Sequence, residues 1–186
     1  KKLQVINNIR DDYDFIFHFA AILGVEYVIN NPYMVLDENV LLTNNAIRIA
    51  KKQKSLKKFI FTSTSEVYAG TLQNNLLEIP TKEISKIILP DLNNSRSSYM
   101  LSKIYGEALC IHSGMPYVIL RPHNIYGPRM GLSHVVPQIM EKCCKIEDGK
   151  PVEVFSPSHT RTFCCIDTAL DQIYNSIDKS TPDNDK

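Results

Sequence analysis

Net charge is almost absent from this 186-residue chain, in which 21 lysines and arginines meet 20 aspartates and glutamates. A balance of +1 argues against nucleic acid or an anionic membrane as the main partner. No apolar run approaches the roughly 20 residues that a membrane helix needs. The opening stretch, KKLQVINNIRDDYDF, has no signal-peptide apolar core. Together these absences lead us to expect a cytoplasmic protein. There is no C-x-x-C pair. The five cysteines include two adjacent pairs, Cys143-Cys144 and Cys164-Cys165, and neighbours are poorly placed to chelate one tetrahedral metal. Buried, reduced thiols and no metal site are therefore expected. Internal repeats and low-complexity segments are missing too.

What is present suits a globular domain with a sizeable core: 44% hydrophobic and 22% charged residues. Asp14 to Ala21, DFIFHFAA, is a short apolar run between acids and a glycine, as a buried parallel strand would be. His18 within it reads as a satisfied core histidine. Spacing predicts a helix over Asn39 to Lys54, with Leu36, Val40, Ile47 and Ala50 inward. Its terminal lysines complement a helix C-terminus on a solvated face. A strand over Lys58 to Thr62 follows, then an irregular section to Ser98. Next come a helix over Tyr99 to His112 and a strand over Tyr117 to Leu120. Further helices are expected over Met130 to Lys145 and Thr168 to Ile177, with short strands at Val152 to Phe155 and Arg161 to Ile166. Strands alternating with helices indicate an α/β fold with a mainly parallel sheet.

The strand Phe59-Ile60-Phe61 ends abruptly in Thr62-Ser63-Thr64-Ser65 and then Glu66. Ligands gather at the carboxyl ends of strands in such sheets. A hydroxyl-rich turn or helix N-cap uses the same residue types, so both readings stay open here. Downstream, Tyr99 and Lys103 stand one helical turn apart on one face. A lysine beside a tyrosine favours the phenolate, so the spacing leads us to expect a lowered tyrosine pKa and an acid or base usable near neutrality. Met100, Ile104, Ala108 and Ile111 lie on another face and are expected to anchor the helix, while Gly106 leaves room for a close approach.

Five segments in order carry a resemblance: Phe17-His18-Phe19-Ala20-Ala21, Thr64-Ser65-Glu66-Val67-Tyr68, Tyr99-x-x-x-Lys103, Arg121-Pro-His-Asn-Ile-Tyr-Gly-Pro128, and Thr160-Arg161-Thr162-Phe163. The chain resembles the extended short-chain dehydrogenase/reductase family, specifically its nucleotide-sugar epimerases, dehydratases and decarboxylases. The resemblance implies a Rossmann-like, doubly wound, mainly parallel sheet lacking its first βαβ unit. Residues 1–122 would be a partial dinucleotide-binding domain carrying the catalytic residues. Residues 123–186 would be part of a small substrate-binding region interleaved with the last sheet elements.

The resemblance also implies oxidation of a sugar hydroxyl at C4 by hydride transfer to NAD, with the choice over NADP left open. Tyr99 would be the base, Lys103 would hold the nicotinamide ribose, and Thr64 would orient the hydroxyl. Glu66 is similar to the acid of 4,6-dehydratases and UDP-glucuronate decarboxylases, and 4-epimerases usually lack it. A 4-epimerase and a non-catalytic nucleotide-binding relative are the alternatives. Ala20, Ala21, Ile22 and His123 would touch the cofactor. Ser65, Asn124, His134, Val135, Phe155 and Arg161 would touch the nucleotide-diphosphate sugar, and the protein would be a homodimer. Departures exist. None of the seven glycines forms the G-x-x-G-x-x-G turn that cradles the pyrophosphate, and the chain stops soon after Ile166-Asp167, before the family's remaining substrate-domain helices, so truncation at both ends is expected. The family's glycine-rich turn before Arg161 is replaced by Ser156-Pro157-Ser158-His159.

Overall fold

The apolar run Phe59-Ile60-Phe61 forms the middle of a parallel sheet in the computed structural model. That structure describes residues 9–178, apart from 148, 157 and 159. The serine-proline turn before Arg161 therefore falls partly outside the described residues. Two units are resolved, one of residues 9–122 with 177 and 178, and one of His123–Ser176. Each is described by itself. No helix among the described residues is long and apolar enough to cross a membrane.

In the first unit, β1 (Phe15–His18), β2 (Lys58–Thr62) and β3 (Tyr117–Leu120) pair in the order β1-β2-β3. All pairs are parallel, with Phe17 opposite Ile60 and Phe59 opposite Tyr117. Helix α1 (Val25–Asn30) and the long α2 (Pro32–Lys51) connect β1 to β2. A 3-10 turn (Ser65–Tyr68), α3 (Ala69–Gln73) and α4 (Ser97–Ile111) lead on to β3. This is the expected Rossmann-like arrangement. Phe59, Ile60 and Phe61 are completely buried, which is why the central strand reads as continuous rather than alternating. Phe59 and Phe61 cluster with Ile47 and Ala50 of α2 and Cys110 of α4.

Both long helices turn faces inward that apolar periodicity did not select. Helix α2 begins at Pro32, whose fixed φ and missing N–H suit the first turn. Its buried stripe is Val35, Asn39, Thr43, Ile47 and Ala50, whereas Leu36 and Val40 are only half-buried. Asn39 and Thr43 can face inward because both find partners. Asn39 accepts the Ile22 N–H at 2.7 Å and donates to the Ile22 carbonyl at 3.0 Å. Thr43 Oγ1 meets His18 Nε2 at 3.2 Å. His18 is thus the satisfied core histidine expected, stacked 6.2 Å from Phe59 and 5.8 Å from Phe61 between ring centres.

On α4, Met100 is buried as anticipated, but Ala108 and Ile111 are exposed. The inward face is instead Ser102, Lys103, Gly106, Glu107 and Cys110. Gly106 explains the rotation: a Cβ there would lie 2.3 Å from Phe61 Cζ, so the ring occupies the space a side chain would need. Helix α2 ends at Lys51 rather than Lys54. Beyond it Lys54 pairs with Asp11 and Lys57 with Asp14 on the surface, whereas Lys58, expected on the same solvated face, is buried at the start of β2.

In the second unit, β4 (Ile125–Tyr126) pairs in parallel with β5 (Cys164–Cys165). Helix α5 spans Val135–Lys145 and α6 spans Ile166–Asp178. The strand expected at Val152 to Phe155 is absent; no described strand pairs there, and Phe155 is 86% exposed. The strand expected from Arg161 shrinks to Cys164–Cys165, the two residues that find a partner in β4. Helix α5 starts later than expected because turns closed by Met130 N–H to Gly127 O and His134 N–H to Gly131 O precede it. Pro137 sits in its first turn, where no backbone donor is required. Since α5 buries none of its residues, Cys143 and Cys144 are exposed, contrary to expectation; Cys110 alone among the cysteines is buried.

Candidate active site

The four residues Thr62 to Ser65 at the end of β2 divide the work between backbone and hydroxyl groups. Thr62 offers its carbonyl to Lys103 Nζ at 2.7 Å. Ser63 Oγ donates to the buried Glu107 carboxylate. Thr64 Oγ1 accepts the Glu66 N–H at 3.3 Å and so caps the 3-10 turn. The Ser65 N–H donates to the Pro122 carbonyl at 3.1 Å. The capping reading of this stretch therefore holds, and it leaves the Thr64 hydroxyl proton for another acceptor.

Lys103 is 4% exposed, with its ammonium 5.2 Å from the Phe61 ring centre and 5.8 Å from that of Tyr99. Burial pulls its pKa down to about 8. Tyr99 moves the opposite way from the expectation. Burial, and then the negative charge of Glu66, push the phenol up to about 12. A site that penalises ammonium also penalises phenolate, so burial comes first, and the Glu66 carboxylate adds to it. His18 belongs to the same environment, drawn down to about 4 by burial and then by Lys103.

Several participants carry no sequence signal that apolar spacing detects. Arg96, one turn before Tyr99, pairs with Glu66 at 3.4 Å, both side chains half-exposed. Glu107, one turn after Lys103, holds Arg121. Their positions at i−3 and i+4 from the two motif residues are the clue that could have found them. Asn39 fixes the backbone of Ile22 in the segment Ala20, Ala21 and Ile22 that follows β1.

In the second unit, Asn124, His134 and Val135 line one hollow together with Met130, Gly131 and Phe163. Asn124 Nδ2 donates to the Thr162 carbonyl at 3.0 Å, tying the start of β4 to the chain before β5. His123 Nδ1 accepts the Asn124 N–H at 3.1 Å. Two expected contacts stand outside the hollow. Arg161 is exposed and bonds to the neighbouring Thr160 carbonyl at 2.7 Å, while Phe155 has the Lys142 ammonium 5.3 Å from its ring centre.

A model of the NAD-dependent epimerase/dehydratase family matches residues 2–183. The chain belongs to that family. It is 30% identical over 182 residues to a UDP-N-acetyl-alpha-D-glucosaminuronate decarboxylase of Bacillus cytotoxicus, covering 94% of this chain and 53% of that protein. To the dTDP-D-glucose 4,6-dehydratase of Dictyostelium discoideum it is 29% identical, covering 88% of this chain and 38% of that one. Among solved structures, the UDP-glucuronic acid 4-epimerase of Bacillus cereus, in complex with UDP-glucuronic acid and NAD, superposes with a TM-score of 0.69 at 26% identity. That match covers 96% of this chain and 52% of the epimerase. The family is thus shown by a match along nearly the whole chain, which spans about half the length of such relatives.

Proposed function

We propose that this chain carries the proton-handling part of an NAD(P)-dependent enzyme that begins by oxidising a nucleotide-linked sugar at C4. The observation that carries this reading is Lys103, buried between the Tyr99 and Phe61 rings with its ammonium on the last carbonyl of β2. Among the described residues, Thr62 accounts for one of that ammonium's three N–H donors. The others suit ribose hydroxyls, and Tyr99, Ala20, Ala21 and Ile22 of the same unit would complete the nicotinamide end. A bound oxidised dinucleotide supplies a hydride acceptor and a positive charge beside the phenol.

Tyr99 takes the C4 hydroxyl proton in this reading. A nearby positive charge opposes the burial and the Glu66 charge that otherwise keep the phenol protonated. Thr64 orients the same hydroxyl. Once C4 is a ketone, Glu66 would take the C5 proton as the C6 hydroxyl leaves as water. Where C6 is a carboxylate, Glu66 would instead position the sugar while carbon dioxide departs and the C5–C6 electron pair passes into the enolate of the C4 ketone. Within the second unit, Asn124, His134 and Val135 would meet the sugar nucleotide, with Arg161 on its diphosphate and Phe155 against the base. A 4-epimerase is the second reading, supported by the likeness to the Bacillus cereus enzyme.

The test is product analysis by NMR with UDP-glucuronate and with GDP-mannose, using the whole protein and its Tyr99→Phe variant. Loss of carbon dioxide or water is expected, and Tyr99→Phe should lower kcat by about 10²-fold or more. A 4-epimer formed without either loss removes the role given to Glu66. Full turnover by Tyr99→Phe ends the reading altogether.

A further inference from the structure

An ion pair between the buried Glu107 and the partly exposed Arg121 is unassigned to any step. Glu107 is 3% exposed and accepts two hydrogen bonds from Arg121, Nε at 2.9 Å and Nη2 at 2.6 Å. This is the fork-to-carboxylate geometry in which arginine surpasses lysine. The pair is joined to both flanks of the segment bearing Thr64 and Glu66. On one flank, Ser63 Oγ donates to Glu107 Oε1. On the other, Arg121 Nη1 donates to the Tyr68 hydroxyl, and the guanidinium lies 5.1 Å from the Tyr68 ring centre. Arg121 Nη1 also reaches the Glu83 carbonyl at 3.1 Å, which the Tyr68 hydroxyl contacts at 3.2 Å.

Helix α4 therefore grips the end of β2 at two successive residues. Lys103 holds the Thr62 carbonyl, and Glu107, one turn further on, holds the Ser63 hydroxyl. Arg121 follows directly on β3, whose Leu120 carbonyl accepts the Ser63 N–H at 2.7 Å. The end of β2, helix α4 and the residue after β3 meet at one carboxylate, and Thr64 is the next residue along from Ser63.

We propose that the Glu107–Arg121 pair is a positioning device that holds Thr64-Ser65-Glu66 in place against the helix bearing Tyr99. The catalytic meaning of this rests on the function proposed above; the mechanical claim does not. A general contribution to stability would loosen the whole unit, whereas a positioning device loosens the 3-10 turn selectively.

Amide hydrogen exchange distinguishes the two, measured on the chain and on Glu107→Gln, Arg121→Lys and Ser63→Ala. The amides of Ser65, Glu66 and Val67 should exchange about tenfold faster or more in Glu107→Gln and Arg121→Lys, while those of β1 and α2 change by less than about twofold. Unchanged turn amides, or equal acceleration everywhere, overturn the proposal. Should Glu107→Gln not fold, Arg121→Lys keeps the charge and Ser63→Ala removes only the hydroxyl link, so the comparison still decides. A kinetic arm uses the whole protein: kcat in Arg121→Lys should fall about thirtyfold with KM nearly unchanged, as a displaced reactive group predicts. A loss confined to KM counts against positioning. Absence of turnover in the unaltered protein overturns the functional reading instead, and the exchange result stands independently of it.

Discussion

His18 shows how one residue's surroundings set a property of the entire fold. It lies beside the rings of Phe59 and Phe61 with Thr43 as its hydrogen-bond partner, and its pKa falls from 6.5 to about 4. A histidine of the unfolded chain takes up a proton near pH 6.5, but the folded one resists until about pH 4. The contribution to stability is complete above pH 6.5 and is lost as the pH falls through that window, by on the order of 3 kcal/mol. Urea unfolding at pH 7.5 and pH 4.5 should show this loss, and His18→Gln should flatten the difference. An equal pH dependence in the variant would refute the assignment. Tyr99 and Lys103 teach the complementary lesson. Their spacing was legible in the sequence, but the direction of the tyrosine's shift was not. Spacing reveals that two groups are close; only burial reveals whether charge is tolerated there.

Helix α4 is the element on which the site depends, and Gly106 is the position that seats it. The ring of Phe61 fills the space where a Cβ would stand. Gly106→Ala must push either the helix or the ring aside, a strain of about 1–3 kcal/mol of the kind overpacked cores show. The urea midpoint should fall accordingly. In a Phe61→Leu background the added cost of Gly106→Ala should shrink, which a double-mutant cycle would measure as coupling. Equal costs in both backgrounds would mean the close approach is not what the glycine serves. The sequence reading anticipated a close approach at Gly106, yet it assigned Ala108 and Ile111 to the anchoring face. Those two are exposed, because Lys103 and Glu107 have partners at the end of β2, the Thr62 carbonyl and the Ser63 hydroxyl that follows it, and draw their own face inward.

At the scale of the whole molecule, membership of the NAD-dependent epimerase/dehydratase family sits beside a missing piece of chemistry. None of the seven glycines stands in a G-x-x-G-x-x-G motif, the sequence that forms a backbone cradle for a pyrophosphate. Calorimetric titration of the 186-residue chain with NAD should give a Kd weaker than about 1 μM, since the nicotinamide end alone offers few anchoring contacts. Tighter binding would show that other residues replace the cradle. The sequence by itself determined the parallel strands β1, β2 and β3, the hydroxyl-rich end of β2 and the order of motifs that marks the family. These follow from apolar runs and residue types that are contiguous in the chain. Tertiary structure alone decided which helix faces turn inward, which strands of the second unit form, and which charges are held. Its reason is distance along the chain: Asn39 is buried because Ile22, 17 residues away, accepts and donates to it, and Ser63 because Glu107 stands 44 residues on. A polar group goes inside only where such a partner waits, and periodicity cannot see partners that far off.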